Sequence, residues 1–284
     1  MPFIIPAPPE YAYPREMINM KIIKSAKEKA PFRGKVLAIN RRTAAILAGI
    51  AAAAAIFCAV CSPRVVGASA TARRLPIYCV ARDDKACALS FDAAWGNEDT
   101  QQLIDILARY NVKTTFFVVG EWVDKYPESV KALSDAGHEV MNHSQDHAHF
   151  TQLSAEEIAA NINACSDRIE AVTGTRPTLF RAPYGEYDDK VIAAVDGMGV
   201  KTIQWDVDSL DWKDLSATEI QNRVLPKVGK GSIILFHNAA KHTPEALPGI
   251  IEGLLAEGYT ILPVSRLLLT GEYTLNHEGR QMPA

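Results

Sequence analysis

Two histidines four residues apart, in His143-Ser-Gln-Asp-His147, have the separation that lets two imidazoles hold one zinc-like ion. Alone, such a pair arises easily by chance. Other side chains capable of chemistry stand at comparable places along the chain. Asp92 ends the region of the apolar run Cys87-Ala-Leu-Ser-Phe91, Arg181 follows Leu179-Phe180, Asp208 and Asp211 precede Trp212, and His237 follows Ser232-Ile-Ile-Leu-Phe236. Each has an ordinary structural explanation: a helix cap, a surface guanidinium, turn carboxylates, a packed histidine. Five such positions in one chain make coincidence improbable.

The elements that must position them alternate. Short apolar runs at 75–80, 87–91, 114–119, 138–141, 178–180, 201–205, 232–236 and 259–262 read as strands. Amphipathic stretches at 98–110, 127–136, 154–173, 187–198, 216–227 and 244–257 read as helices. Ser154-x-x-Glu157 is a capping box, and Thr243-Pro244 puts proline at a first helical position. Strands separated by single helices predict an α/β fold with a parallel sheet and right-handed crossovers, and six or more such units fit a barrel. In a barrel of this kind chemistry gathers at the C-terminal ends of the strands, where the five positions fall.

Of 284 residues, 48% are hydrophobic and 22% charged, the composition of a chain with a sizeable core. The net charge of −3 hides an asymmetry: residues 1–42 hold nine Lys and Arg against three Glu, +6, leaving 21 basic against 30 acidic residues, −9. The remainder is therefore not a nucleic-acid binder. Residues 43–61 carry no charge and follow Arg41-Arg42, which predicts a single transmembrane helix with its basic flank in the cytoplasm and residues 62–284 outside. The expected organisation is a basic cytoplasmic region (1–42), a signal-anchor (43–61), a linker (62–73), a folded domain (74–270) and a C-terminal tail (271–284). Ala68-Ser69-Ala70 has the pattern of a signal-peptidase site, so the chain is expected at the cell membrane as a single-pass protein, or secreted if cleaved near Ala70. Cys58 and Cys61 fall in the membrane segment. Cys79 and Cys87 flank a hairpin turn expected at Arg82-Asp83-Asp84-Lys85, which leaves a disulfide or two thiols open.

Over residues 74–270 the chain resembles the NodB-type polysaccharide deacetylases, carbohydrate esterase family 4. The resemblance rests on Ser90-Phe91-Asp92, His143-Ser-x-x-His147, Arg181-x-Pro-Tyr184-Gly185, Asp208-x-x-Asp211-Trp212 and Leu235-x-His237, in the family's order and spacing. The form Phe91-Asp92-Ala93-Ala94-Trp95-Gly96 looks most like the sporulation-associated, PdaB-like branch. The resemblance implies a distorted (β/α) barrel of NodB type and metal-dependent removal of N-acetyl groups from GlcNAc-type sugars of peptidoglycan or a related cell-wall polymer. It assigns His143 and His147 to a divalent ion, with zinc expected, and Asp92 to the general base. Arg181 would hold Asp92, and His237 would be the general acid, its tautomer set by Asp208. The Tyr184 N–H would help bind the oxyanion, and Trp212 and Leu235 would line the acetyl pocket. One position departs from the pattern: where the family has a second aspartate as third metal ligand, this chain has Ala93. Asp146 is a candidate replacement. The alternative implied by Ala93 is a wall-glycan-binding protein that keeps the barrel with weakened catalysis.

Overall fold

The computed structural model describes residues 40–50 and 73–284. Residues 41–50 form a helix, α1, whose side chains are exposed. Its residues 43–50 are the beginning of the apolar run 43–61. The rest of that run with Cys58 and Cys61, the basic segment before residue 40 and the triplet Ala68-Ser69-Ala70 lie outside the described residues. Among the described residues no helix is long and apolar enough to cross a membrane. Residues 69–284 form a compact unit of their own.

In that unit the elements follow as β1 (Cys79–Val80), β2 (Ala86–Ala93), α2 (Thr100–Arg109), β3 (Thr115–Val118), α3 (Gly120–Lys125), α4 (Pro127–Asp135), β4 (Glu139–Asn142), α5 (Ala155–Thr173), β5 (Leu179–Phe180), α6 (Asp189–Gly197), β6 (Lys201–Thr202) and β7 (Val207–Asp208). Then come α7 (Ala217–Val224), β8 (Ile233–His237), α8 (Thr243–Ala256), β9 (Thr260–Ile261), α9 (Val264–Leu267), β10 (Tyr273–Leu275) and β11 (Arg280–Pro283). The large sheet runs β6-β5-β4-β3-β2-β8-β7, with β9 beside β2, and its pairs are parallel. β6 and β7 end this path without pairing with each other, so the expected barrel is an open half-barrel.

The central strand explains the arrangement. Along β2, Cys87, Leu89, Phe91 and Ala93 pack into the helix-covered core, whereas Ala86 and Ala88 join a second cluster and Ser90 and Asp92 bring polar atoms between them. Both faces are buried, which is why β2 reads as a continuous apolar run rather than an alternating one. Phe91 stacks between Phe116 at 4.8 Å and Phe236 at 5.5 Å, so Phe91→Ala would cost about 3–5 kcal/mol at the strand that carries Asp92. The capping box of α5 forms in both directions, Glu157 N–H to Ser154 Oγ at 3.2 Å and Ser154 N–H to Glu157 Oε2 at 2.8 Å.

Two expectations change. Residues 82–85 do not close a hairpin: β1 pairs in parallel with β11, and β10 pairs antiparallel with β11 in a separate three-stranded sheet. Asp84 grips the Arg82 guanidinium at 2.7 and 2.8 Å, and the chain there passes from one sheet to the other. Cys79 and Cys87 accordingly carry buried free thiols. The stretch 271–284, expected as a tail, supplies two of the three strands of that small sheet.

Candidate active site

Register brings the reactive residues together before any side chain is considered. Asp92 lies beside His237 across β2 and β8, and Asn142 lies beside Phe180 across β4 and β5, so His143 and Arg181 leave their strands side by side.

Asp92 is 6% exposed and Arg181 is fully buried. Arg181 Nη1 donates to Asp92 Oδ1 at 2.7 Å, and Nη2 donates to Ser90 Oγ at 2.9 Å and the Gln204 carbonyl at 3.2 Å. Its guanidinium lies 4.1 Å from the centroid of Phe117. Burial would raise the Asp92 pKa; Arg181, His143 and His237 outweigh it and hold the carboxyl below the usual range. Asp92 is thus a charged, unprotonated base at neutral pH.

His143 Nδ1 stands 2.8 Å from the Arg181 carbonyl oxygen. A carbonyl only accepts, so Nδ1 carries the proton and Nε2 keeps its lone pair, 3.6 Å from Asp92 Oδ2. The next loop turns through two positive-φ residues, Ser144 (φ 76°) and His147 (φ 56°). Asn142 Oδ1 accepts from Ser144 N–H at 2.8 Å and Ser144 Oγ accepts from His147 N–H at 2.9 Å, which returns the His147 ring to within 5.1 Å of His143. Burial lowers the pKa of both histidines, that of His147 to about 4, with the charge of His143 adding to the effect there. Both imidazoles are neutral near pH 7, as metal ligands must be.

These two nitrogens, one fixed in tautomer by its carbonyl partner, suit a divalent ion. A third protein ligand does not join them: among the described residues no group of three His, Cys, Asp or Glu has a metal-holding arrangement. Ala93 is buried in the apolar core, and Asp146 is exposed, its Oδ1 accepting from Asn161 Nδ2 at 2.8 Å. The residues therefore fit an ion held by two protein ligands and fall one short of the three usual at a hydrolytic zinc.

The opposite side of the cavity is fully connected. His237 Nδ1 lies 2.7 Å from Asp211 Oδ1, the His237 N–H donates to Asp211 Oδ2 at 2.8 Å, and Thr243 Oγ1 donates to the same oxygen at 2.6 Å. Burial would lower the His237 pKa; the hydrogen bond and charge of Asp211, with smaller contributions from Asp92 and Asp208, raise it above the usual imidazole range. The carboxylate that fixes His237 is therefore Asp211 and not Asp208. Asp208 ends β7, accepts from Leu210 N–H at 2.8 Å, and lines the cavity, acting on His237 through its charge alone. Leu210, at φ 53°, turns the chain so that the next residue, Asp211, reaches His237 at the end of β8.

Tyr184 has φ 59°, a strained value for a residue with a side chain, and its N–H has no intramolecular acceptor among the described residues. It lines the cavity of about 770 Å³ together with Asp92, His143, His147, Leu235 and His237. Trp212 and Trp95 stand at its rim, 58% and 61% exposed. Sequence reasoning missed the supporting contacts: Thr243 on Asp211, Ser90 and Gln204 on Arg181, and Asn238, which accepts from Ala94 N–H at 3.3 Å and donates to the Gly96 carbonyl. Asp99 Oδ2 holds the Ala239 N–H at 2.9 Å. Single Ser, Thr, Asn and Gln residues carry no spacing signal that would have exposed these roles.

The profile of the polysaccharide deacetylase family matches residues 80–203. The peptidoglycan-N-acetylmuramic acid deacetylase PdaC of Bacillus subtilis is 38% identical over 185 residues, covering 65% of this chain and 39% of that protein. The peptidoglycan-N-acetylglucosamine deacetylase of Bacillus cereus is 31% identical over 65% of this chain and 69% of its own length. Among solved structures, a CE4-family pseudoenzyme from Bacillus anthracis superposes with a TM-score of 0.66 at 35% identity, covering 68% of each chain. A mutant of that pseudoenzyme with restored enzymatic activity superposes equally well. The chain thus spans about two-fifths of the Bacillus subtilis relative's length.

Proposed function

The chain belongs to the polysaccharide deacetylase family, and from that premise we propose that it removes N-acetyl groups from GlcNAc-type sugars of peptidoglycan or a related cell-wall polymer. The observation that carries the reading is the pairing of an ionised Asp92 with an Asp211-anchored His237 across one cavity. A binding module has no need of a base and an acid prepared in opposite senses. Asp92 takes a proton from the attacking water as its oxygen bonds to the acetamide carbon. The Tyr184 N–H receives the developing oxyanion, and Leu235 and Trp212 enclose the methyl group. His237 gives its proton to the nitrogen as the C–N bond breaks, so acetate and an amine leave. His143 and His147 would hold a divalent ion, zinc by its preference for imidazole, which supplies carbonyl polarisation and a more acidic water when bound.

The apolar run after Arg41-Arg42 supports a single-pass anchor with the domain outside the cytoplasm, or secretion if the chain is cut near Ala70. The form Phe91-Asp92-Ala93-Ala94-Trp95-Gly96 supports the PdaB-like branch and a role in sporulation. Acetate release from N-acetylglucosamine oligomers and from peptidoglycan, with added zinc and with a chelator, tests the reading. Metal-stimulated release is expected, and none from either substrate would refute it. Ala93 favours a second reading, glycan binding without turnover, which predicts that folded protein holds glycan and releases no acetate.

A further inference from the structure

Among the described residues of the folded unit, the three exposed large aromatic side chains, Trp95, Tyr184 and Trp212, all line one cavity. Exposed apolar surface gathered at one mouth marks a ligand surface rather than incomplete burial. Two of the three rings already have a partner. His149 stacks on Tyr184 at 4.4 Å and 12°, and the Lys213 ammonium sits 5.0 Å from the centroid of Trp212. Trp95 has only a tilted contact with His147, 5.3 Å between centroids at 56°, and its indole N–H makes no hydrogen bond among the described residues.

The loop under Trp95 is nonetheless fixed. Ala94 N–H reaches Asn238, Trp122 Nε1 donates to the Gly96 carbonyl at 2.9 Å, and Asn97 Nδ2 donates to Ser129 Oγ at 3.0 Å. With its backbone fixed, a bare ring gives up only side-chain freedom when a ligand covers it. We propose that Trp95 is a stacking platform for the pyranose next to the one being deacetylated, so that the site takes a glycan chain and discriminates by its length. This rests on the glycan reading of the cavity and adds to it a residue that senses the neighbouring sugar. The cavity volume of about 770 Å³ is towards the upper end for pockets that enclose drug-sized ligands, and leaves room beyond one sugar ring.

The test is calorimetric binding of N-acetylglucosamine monomer and tetramer to the full chain, with a chelator present to prevent turnover, for the unaltered protein, Trp95→Ala and Trp95→Phe. Trp95→Ala should weaken tetramer binding about tenfold and leave monomer binding unchanged, and Trp95→Phe should recover most of the loss. Equal tetramer affinity in Trp95→Ala, or an equal loss for monomer and tetramer, overturns the proposal. Tetramer binding that depends on Trp95 without any acetate release elsewhere upholds it and refutes the deacetylase reading alone. No binding of either sugar removes both.

Discussion

The cavity has two unequal flanks. On one, Asp92–Arg181 and His237–Asp211–Thr243 form closed networks in which each charge has a buried partner. On the other, His143 and His147 are oriented and neutral but lack a third ligand, because the residue after Asp92 is Ala93. On the proposed reading, proton transfer and ion binding fall to different residues of one site: those for the first are all in contact, and those for the second are one ligand short.

The largest effect should come from breaking the complete flank. Asp92→Asn is expected to cut acetate release by about 10²–10⁴-fold, read by an acetate assay. It also strands a buried Arg181, so a denaturation curve should show a loss of about 3–5 kcal/mol. A variant that keeps its rate would mean the two flanks were misjudged. On the incomplete flank, Ala93→Asp puts a carboxylate at a position only 1% exposed, and several kcal/mol of stability should be lost without metal. Zinc should return much of that stability as a rise in melting temperature absent from the His143→Ala form of the same variant.

A control outside the cavity sharpens the contrast. His138 is 5% exposed, accepts from Thr114 N–H at 3.2 Å and has no partner for Nε2 among the described residues, and burial lowers its pKa to about 4. The unfolded chain binds its proton near pH 6.5, so the contribution is full above that pH and is lost as pH falls towards 4. About 3 kcal/mol is at stake over this window. His138→Gln should flatten that part of the stability–pH curve, and an unchanged slope would assign the acid lability to His143 and His147 instead. The smallest effect is expected from Thr243→Val, about 2 kcal/mol, since one hydrogen bond to a charged group is removed. Freed of that donor, Asp211 faces His237 with more charge. The alkaline limb of the rate profile, which falls as His237 deprotonates, should then move to higher pH.

Much of this was legible in the sequence because strand ends and reactive residues coincide. The runs ending near Asp92, Asn142, Phe180 and His237 gave the parallel frame, and residues just past them converge. What was not legible depended on single bonds. Asp208 and Asp211 have the same chemistry three residues apart, and only the left-handed turn at Leu210 decides which reaches His237. The helix Gly120–Lys125 is too short for a periodic signal. The partner of β1 lies two hundred residues away, where local pattern carries no information.

That last pairing also constrains the order of events in the cell. Cys79 and Val80 align with Arg280 and Gln281, so almost the whole domain lies between the two strands of one ladder. Such a contact cannot form until residues 280 and 281 have been made and are free to reach back across the domain. The segment around β1 meets Ile203, Gly231 and Ser232 earlier in the chain, but its ladder to β11 waits for residues two hundred positions away. A chain that stops short of residue 280 therefore leaves the β11-facing edge of β1 unpaired, for quality-control proteases to find.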